Sequence, residues 1–334
     1  MNKHRYCAAF AALLALVACN KNEPAVTACS EPGSPAIVNV RIDAPQTRAT
    51  VADTPQEATV STLDVCAFRG DVLDAHGQNN GTSLTLSATQ GPRTLYAVVN
   101  TEESLTSVSS LSGLQQKVSL LANNTRSRFV MTGMKSQTLG ATTSVDMDVE
   151  RLAARFKIDK ITNKLTNPTQ ASSFSITRIF LTNVVGSICY DASQASSVRW
   201  FADSKLNESS APNDLIYKKL NSPASISYNN SHTTSYSFYT YPNSNAQKNT
   251  LLVVEAKIAG QFYTYPLLVA GTVERNKSYE VKELVITRVG NPSDGDDDIE
   301  GDENKPIQSS QATITINVLD WEQVLIGENG TITI

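Results

Sequence analysis

The sequence predicts an all-β protein, and three observations carry that prediction. β-Branched residues dominate the apolar set, and Thr and Ser recur throughout, a composition that fits half-buried pleated surfaces. Apolar residues repeat with period two in one run after another. No long amphipathic helix alternates with these runs, which argues against a parallel α/β fold.

At 334 residues the chain is long enough for two domains. Hydrophobic residues make up 40% and charged residues 18%, an ordinary globular balance. The net charge of -4, with no cluster of Lys and Arg, argues against nucleic acid as a partner.

Residues 1–18 read as a lipoprotein signal peptide. Lys3 and Arg5 precede an apolar run from Tyr6 to Ala18, too short to span a bilayer. The run ends in Leu16-Val17-Ala18-Cys19, which looks like a lipobox with Cys19 as the lipid attachment site. A tether from Asn20 to Pro35, with Pro24, Pro32 and Gly33, is expected to be extended. Then the pattern changes. Val38, Val40, Ile42 and Ala44 share one face, opposite Asn39, Arg41 and Asp43, so a half-buried strand is expected. Pro45 ends it, and Arg48 and Ala49 follow in a polar stretch accessible to an arginine-specific protease.

Beyond Thr50, strands are expected over 60–68, 83–88, 93–100, 129–132 and 144–149. Gly70, Asp74 and Asn79-Asn80-Gly81 mark a loop between the first two. Leu105, Val108, Leu111 and Leu114 recur at helical spacing, so one or two short helices are expected there. A second unit begins near Glu150. Its strands are expected over 151–158, 174–185, 235–241, 250–258, 262–269 and 278–289, with an irregular excursion over 193–225.

An acidic hinge (294–303) comes next. Taken as an EF-hand loop from Asp294 or Asp296, it lacks the Glu at the twelfth position, so a solvated hinge is expected and no metal. After the hinge, Ile314, Ile316 and Val318 share a face, and Gly330-Thr331-Ile332-Thr333-Ile334 alternates again. A terminal alternating run is a pairing edge, and its pattern matches that of Val38 to Ile42.

The chemistry of catalysis is not legible. The three histidines are scattered, and no metalloprotease, nucleophile-elbow or phosphate-loop motif occurs. No cofactor and no catalytic residue is expected. Of the five cysteines, Cys66 and Cys189 sit in apolar runs and read as buried thiols. A second reading is a surface lipoprotein that binds glycans, with Tyr236, Phe238, Tyr239 and Tyr241 as a stacking platform. Alternation places these aromatics in the core instead.

The chain resembles the FimA/Mfa-like fimbrillins, lipoprotein subunits of bacterial type V pili. The resemblance rests on Leu16-Val17-Ala18-Cys19, Thr47-Arg48-Ala49, Val149-Glu150-Arg151-Leu152-Ala153-Ala154-Arg155-Phe156, Lys277 to Val281, Leu284 to Arg288, and the acidic hinge followed by Thr313 to Trp321. It implies two transthyretin-like β-sandwich domains, residues 49–149 and 150–334, behind a lipidated propeptide, residues 19–48. It also implies a stalk subunit that is tethered to the outer membrane through Cys19. Cleavage of Arg48-Ala49 by an arginine-specific protease would release the strand of Val38, Val40 and Ile42. The segment 312–334, with Ile314, Ile316, Val318, Ile332 and Ile334, would then donate a strand to another copy or a related fimbrial subunit.

Overall fold

The computed structural model describes residues 33–43, 55–101, 103–203, 206 and 212–293, and the backbone of 312–320. Cys19, Arg48, Ala49, the acidic hinge, Ile332 and Ile334 lie outside these residues. Among the described residues strands dominate, and the few α-helices are short, as the all-β prediction requires.

The first part of the chain supplies β1 (Pro35–Asp43), β2 (Thr62–Arg69), β3 (Val72–Asn80), β4 (Ser83–Thr89), β5 (Gly91–Val99), β6 (Val118–Leu120), β7 (Met131–Leu139), β8 (Thr142–Asp148) and β9 (Glu150–Arg151). They form a 5-stranded sheet, order β3-β2-β5-β7-β9, and a 3-stranded sheet, order β4-β1-β8. Leu63, Val65, Ala67, Leu95, Ala97 and Val99 of the larger sheet meet Val38, Val40, Leu84, Leu86, Val145 and Met147 of the smaller one in a single core. The opposite face of β2 and β5 is buried too. Cys66, Phe68, Tyr96 and Val98 pack with Leu105, Val108, Leu114 and Phe129. Apolar cover on both faces explains why the end of β5, Leu95 to Val99, is a continuous apolar run.

The second part supplies β10 (Ala154–Ile158), β11 (Ile161–Asn163), β12 (Ser175–Thr182), β13 (Val184–Val185), β14 (Ser187–Cys189), β15 (Trp200–Phe201), β16 (Tyr217–Ser225), β17 (Ser231–His232), β18 (Tyr236–Thr240), β19 (Leu251–Ile258), β20 (Gln261–Leu267), β21 (Lys277–Ile286), β22 (Asn291–Ser293) and β23 (Ala312–Asp320). One sheet runs β17-β11-β21-β10-β18, with β23 also paired to β21; the other runs β16-β12-β19-β20-β22. β10 lies between antiparallel β18 and parallel β21. β1 lies in the same way between antiparallel β4 and parallel β8. The two sandwiches therefore repeat one strand pattern.

Two expectations need correction. The stretch read as a loop around Asp74 is β3, an edge strand whose half-exposed faces carry Asp74, His76 and Gln78 and so show no apolar stripe. The helical spacing from Leu105 yields one short helix, α1 (Leu111–Gln115), as expected, with Leu105, Val108 and Leu114 buried. The excursion 193–225 contains β15 and β16, and β16 is mostly exposed, which hides its pattern. Residues just before it, in β14, pair with β6. There Tyr96 donates to the Tyr190 carbonyl at 2.7 Å and Thr132 donates to it at 3.0 Å.

Among the described residues, charged groups inside the fold are paired, while the buried hydroxyls of Thr62, Thr182 and Thr264 have no hydrogen-bond partner. Arg178 and Glu255, register partners on β12 and β19, are joined by two hydrogen bonds, Nε to Oε1 at 3.1 Å and Nη2 to Oε2 at 2.8 Å. Asp74 on β3 accepts from the Thr89 amide at 2.8 Å and from Arg93 Nε at 2.8 Å, tying β3 to β4 and β5. Cys66 and Cys189 are buried free thiols, and burial, with the Asp64 carboxylate nearby, pushes the Cys66 thiol up to about 12.

Two outcomes follow from these pairs. Glu255→Gln removes the carboxylate charge that Glu255 sets against the buried Arg178 guanidinium and is expected to lower unfolding free energy in urea by about 3–5 kcal/mol. The double change Arg178→Met with Glu255→Leu should recover most of that loss. For Asp74, burial favours the neutral carboxyl, but Arg93 and Thr89 outweigh it and hold the group below the usual carboxylate range. Its contribution is complete above about pH 4 and lost as pH falls through the depressed folded value. Asp74→Asn should therefore be less stable at neutral pH and lose less stability on acidification, as followed by urea midpoints at stepwise lower pH.

Candidate functional site

The site is the seat of β1. The alternation of this strand is resolved cleanly by the fold. Ala36, Val38, Val40 and Ile42 are 0–2% exposed, while Ile37, Asn39 and Arg41 face outward. β1 is the central strand of its 3-stranded sheet, so both of its edges are paired. Against β4 the antiparallel register sets Val38 opposite Leu86 and Val40 opposite Leu84. Against β8 the parallel register sets Val40 beside Val145 and Ile42 beside Met147. Main-chain bonds secure its neighbours at both ends: the Ile37 amide donates to the Ala141 carbonyl at 2.9 Å, and the Ile42 amide to the Thr82 carbonyl at 2.8 Å.

The outward face of β1 is polar. Thr85 donates to Asn39 Oδ1 at 3.0 Å, and Arg41 pairs with Asp146 at 3.3 Å. Both partners of that ion pair are largely exposed, so it contributes little. An open trough of about 550 Å³ runs along this face, lined mainly by Asn39, Arg41, Asn79, Thr85, Ser144 and Asp146.

The main consequence is geometric. Removing β1 would strip the partner from two strands at once and uncover the apolar floor formed by Leu84, Leu86, Val145 and Met147. Burying side chains of the size of Val38, Val40 and Ile42 is worth roughly 1.5–3 kcal/mol each, before the entropy of ordering the strand. A vacant seat of that kind selects an extended segment with period two, because a slip of one residue would turn its apolar face to water.

The sequence-predicted residues are distributed as follows. Val38, Val40 and Ile42 line the core face of β1. Ile314, Ile316 and Val318 lie in β23, at the register positions of Leu284, Val281 and Tyr279 on β21, and are not beside β1. The aromatic stretch is no stacking platform: Phe238, Tyr239 and Tyr241 are buried on both faces of β18 and its continuation. His76 is held by Asp64 at 2.9 Å on the edge strand β3. Sequence reasoning did not foresee that β1 would be central, nor that Glu57 would be buried beside Arg155, at 2.8 Å. The only signal for the latter was the pair of arginines in the Glu150 to Phe156 motif.

Comparison with known proteins agrees with this geometry. Residues 36–180 match the family described as major fimbrial subunit protein (FimA). No curated protein matches the chain. Among solved structures, a fimbrilin (FimA) from Porphyromonas gingivalis W83 has a TM-score of 0.59 at 16% identity, over 89% of this chain and 99% of that one. A candidate cell adhesion protein from Bacteroides eggerthii DSM 20697 has a TM-score of 0.63 at 18% identity, again over 89% and 99%. A further candidate cell adhesion protein, from Parabacteroides distasonis ATCC 8503, has a TM-score of 0.57 at 16% identity, over the same shares. At these identities the structures speak for the fold alone, and the family match covers residues 36–180, from inside β1 to inside β12.

Proposed function

We propose that this protein is a fimbrial subunit, a stalk component with two β-sandwich domains, residues 49–149 and 150–334, that polymerises by strand exchange. Its precursor is exported as a lipoprotein and held at the outer membrane through Cys19. An arginine-specific protease cuts between Arg48 and Ala49, and β1 then leaves its seat. The C-terminal segment of another copy, or of a related fimbrial subunit, takes the place between β4 and β8, giving an extracellular fimbrium.

The observation that carries this reading is the central, fully paired position of a strand that is followed within a few residues by Arg48. A strand in that position blocks its own seat, so the precursor stays monomeric, and cutting makes the exchange effectively one-way. Main-chain bonds to both flanking strands would supply affinity, and alternate side chains would set the register. Five of the residues named for the donor, Ile314, Ile316, Val318, Ile332 and Ile334, have the needed period. Among the described residues β23 is paired with β21 alone, so a move to a seat between two strands would add a second ladder of hydrogen bonds.

Two measurements test the proposal. Arg48→Ala should leave the fold intact and abolish polymers after protease treatment, as seen by negative-stain microscopy; polymers at the wild-type level would sink the reading. Cutting and strand release can also be separated. Asn39 and Thr85 are directly opposite in the β1–β4 register, so Asn39→Cys with Thr85→Cys should form a bridge that pins β1. The bridged protein is expected to be cut at Arg48 yet to polymerise only after a reductant is added. Polymers that form with the bridge intact would show that β1 does not have to leave.

A further inference from the structure

The motif Glu150 to Phe156 plays no part in the seat of β1, yet its arginines are deeply buried. Arg151 is 0% exposed and Arg155 4%. Both close on the short 3-10 turn Pro55–Ala58, where the described chain resumes after Arg48. Arg151 donates from Nε to the Glu57 carbonyl at 2.9 Å. Arg155 donates from Nη1 to Glu57 Oε2 at 2.8 Å, and the Tyr239 hydroxyl donates to Glu57 Oε1. Arg155 is itself held, with Nε on Ser278 Oγ at 2.9 Å and Nη2 at 3.6 Å from Glu280 Oε1. Burial, and the Glu57 carboxylate beside it, push the Tyr239 phenol well above its ordinary range, so it remains a donor.

The residues that follow Glu57 are fixed in turn. Asn100 donates to the Thr59 carbonyl at 2.8 Å, and its Oδ1 accepts from the Ser61 amide at 2.8 Å. Between them, Val60 packs against the same core that β1 fills. A buried carboxylate is costly unless both oxygens are satisfied, and here both are. Glu57 thus fastens the chain just downstream of Arg48 by buried charge as well as by packing.

We propose that Glu57, with its receptor Arg151, Arg155 and Tyr239, is the fixed post of strand exchange. It holds the chain on the C-terminal side of the cut while β1 departs, so that Val60 stays in the wall of the vacated seat. This rests on the processing reading above. Glu57 is a positioning residue: it acts through Val60 and the β2 entry, not by touching the protease or the incoming strand.

The test compares full-length wild type and Glu57→Gln, each before and after an arginine-specific protease. Amide exchange across residues 57–62 is followed by mass spectrometry, and rebinding of a synthetic peptide with the sequence Pro35–Asp43 is measured on the cut proteins. Wild type should keep its protection at 57–62 after cutting. Glu57→Gln should lose it by about tenfold or more, and should rebind the peptide about tenfold more weakly. Equal protection in the two cut proteins, or loss in both, overturns the proposal. If Glu57→Gln does not fold, Tyr239→Phe keeps the ring, removes one donor and should show a smaller loss at the same amides; no loss there overturns the proposal. If the protease leaves Arg48 intact, the processing reading falls. The uncut chains then still report on the post: weaker protection at 57–62 in Glu57→Gln supports it, and no difference overturns it.

Discussion

The double pairing of β1 is the interaction on which the rest of the first sandwich depends. β4 and β8 are both bonded to β1 and reach each other only through it. Main-chain donors and acceptors that lose a partner inside a fold are costly, so the sheet exists as a sheet only while an extended segment sits between these two strands. The side chains add a second demand. Leu84, Leu86, Val145 and Met147 form an apolar floor that water would otherwise wet. Together the two demands describe the occupant, an extended segment with an apolar residue at every second position, without naming which segment it is.

The larger sheet is less exposed to the fate of β1. β2 and β5 carry apolar cover on both faces, and their second face belongs to a core that continues into the other sandwich. Tyr190, reached by Tyr96 and Thr132, ties the segment after β14 to this outer face. The larger sheet thus has a second buried face to which β1 does not contribute.

Repetition of one strand pattern sharpens the contrast between the two sandwiches. β10 holds the place in the second that β1 holds in the first, but β10 runs on directly into β11 and on through the fold. It also carries Arg155, whose partners come from β21 and from Glu57. On β1 the described ion pair, Arg41 with Asp146, is exposed instead. The two strands thus differ in how their described charges are held, at the surface in one case and buried in the other.

The period-two patterns determined a good deal by themselves. Local alternation and residue size pointed to a shared buried face for Val38, Val40 and Ile42, to buried thiols at Cys66 and Cys189, and to a core place for the aromatic stretch around Phe238, and all of these are buried. The polar edge strand β3 and the exposed β16 escaped the same reasoning, since an edge has no obligatory apolar stripe. What only the tertiary structure decided is which strands flank which. A strand's own sequence records that it has a buried face, but not whether its edges are paired once or twice, because the ladder partners come from distant parts of the chain. The central seat of β1 and the burial of Glu57 under Arg151 and Arg155, separated from it by more than ninety residues, are both of that kind.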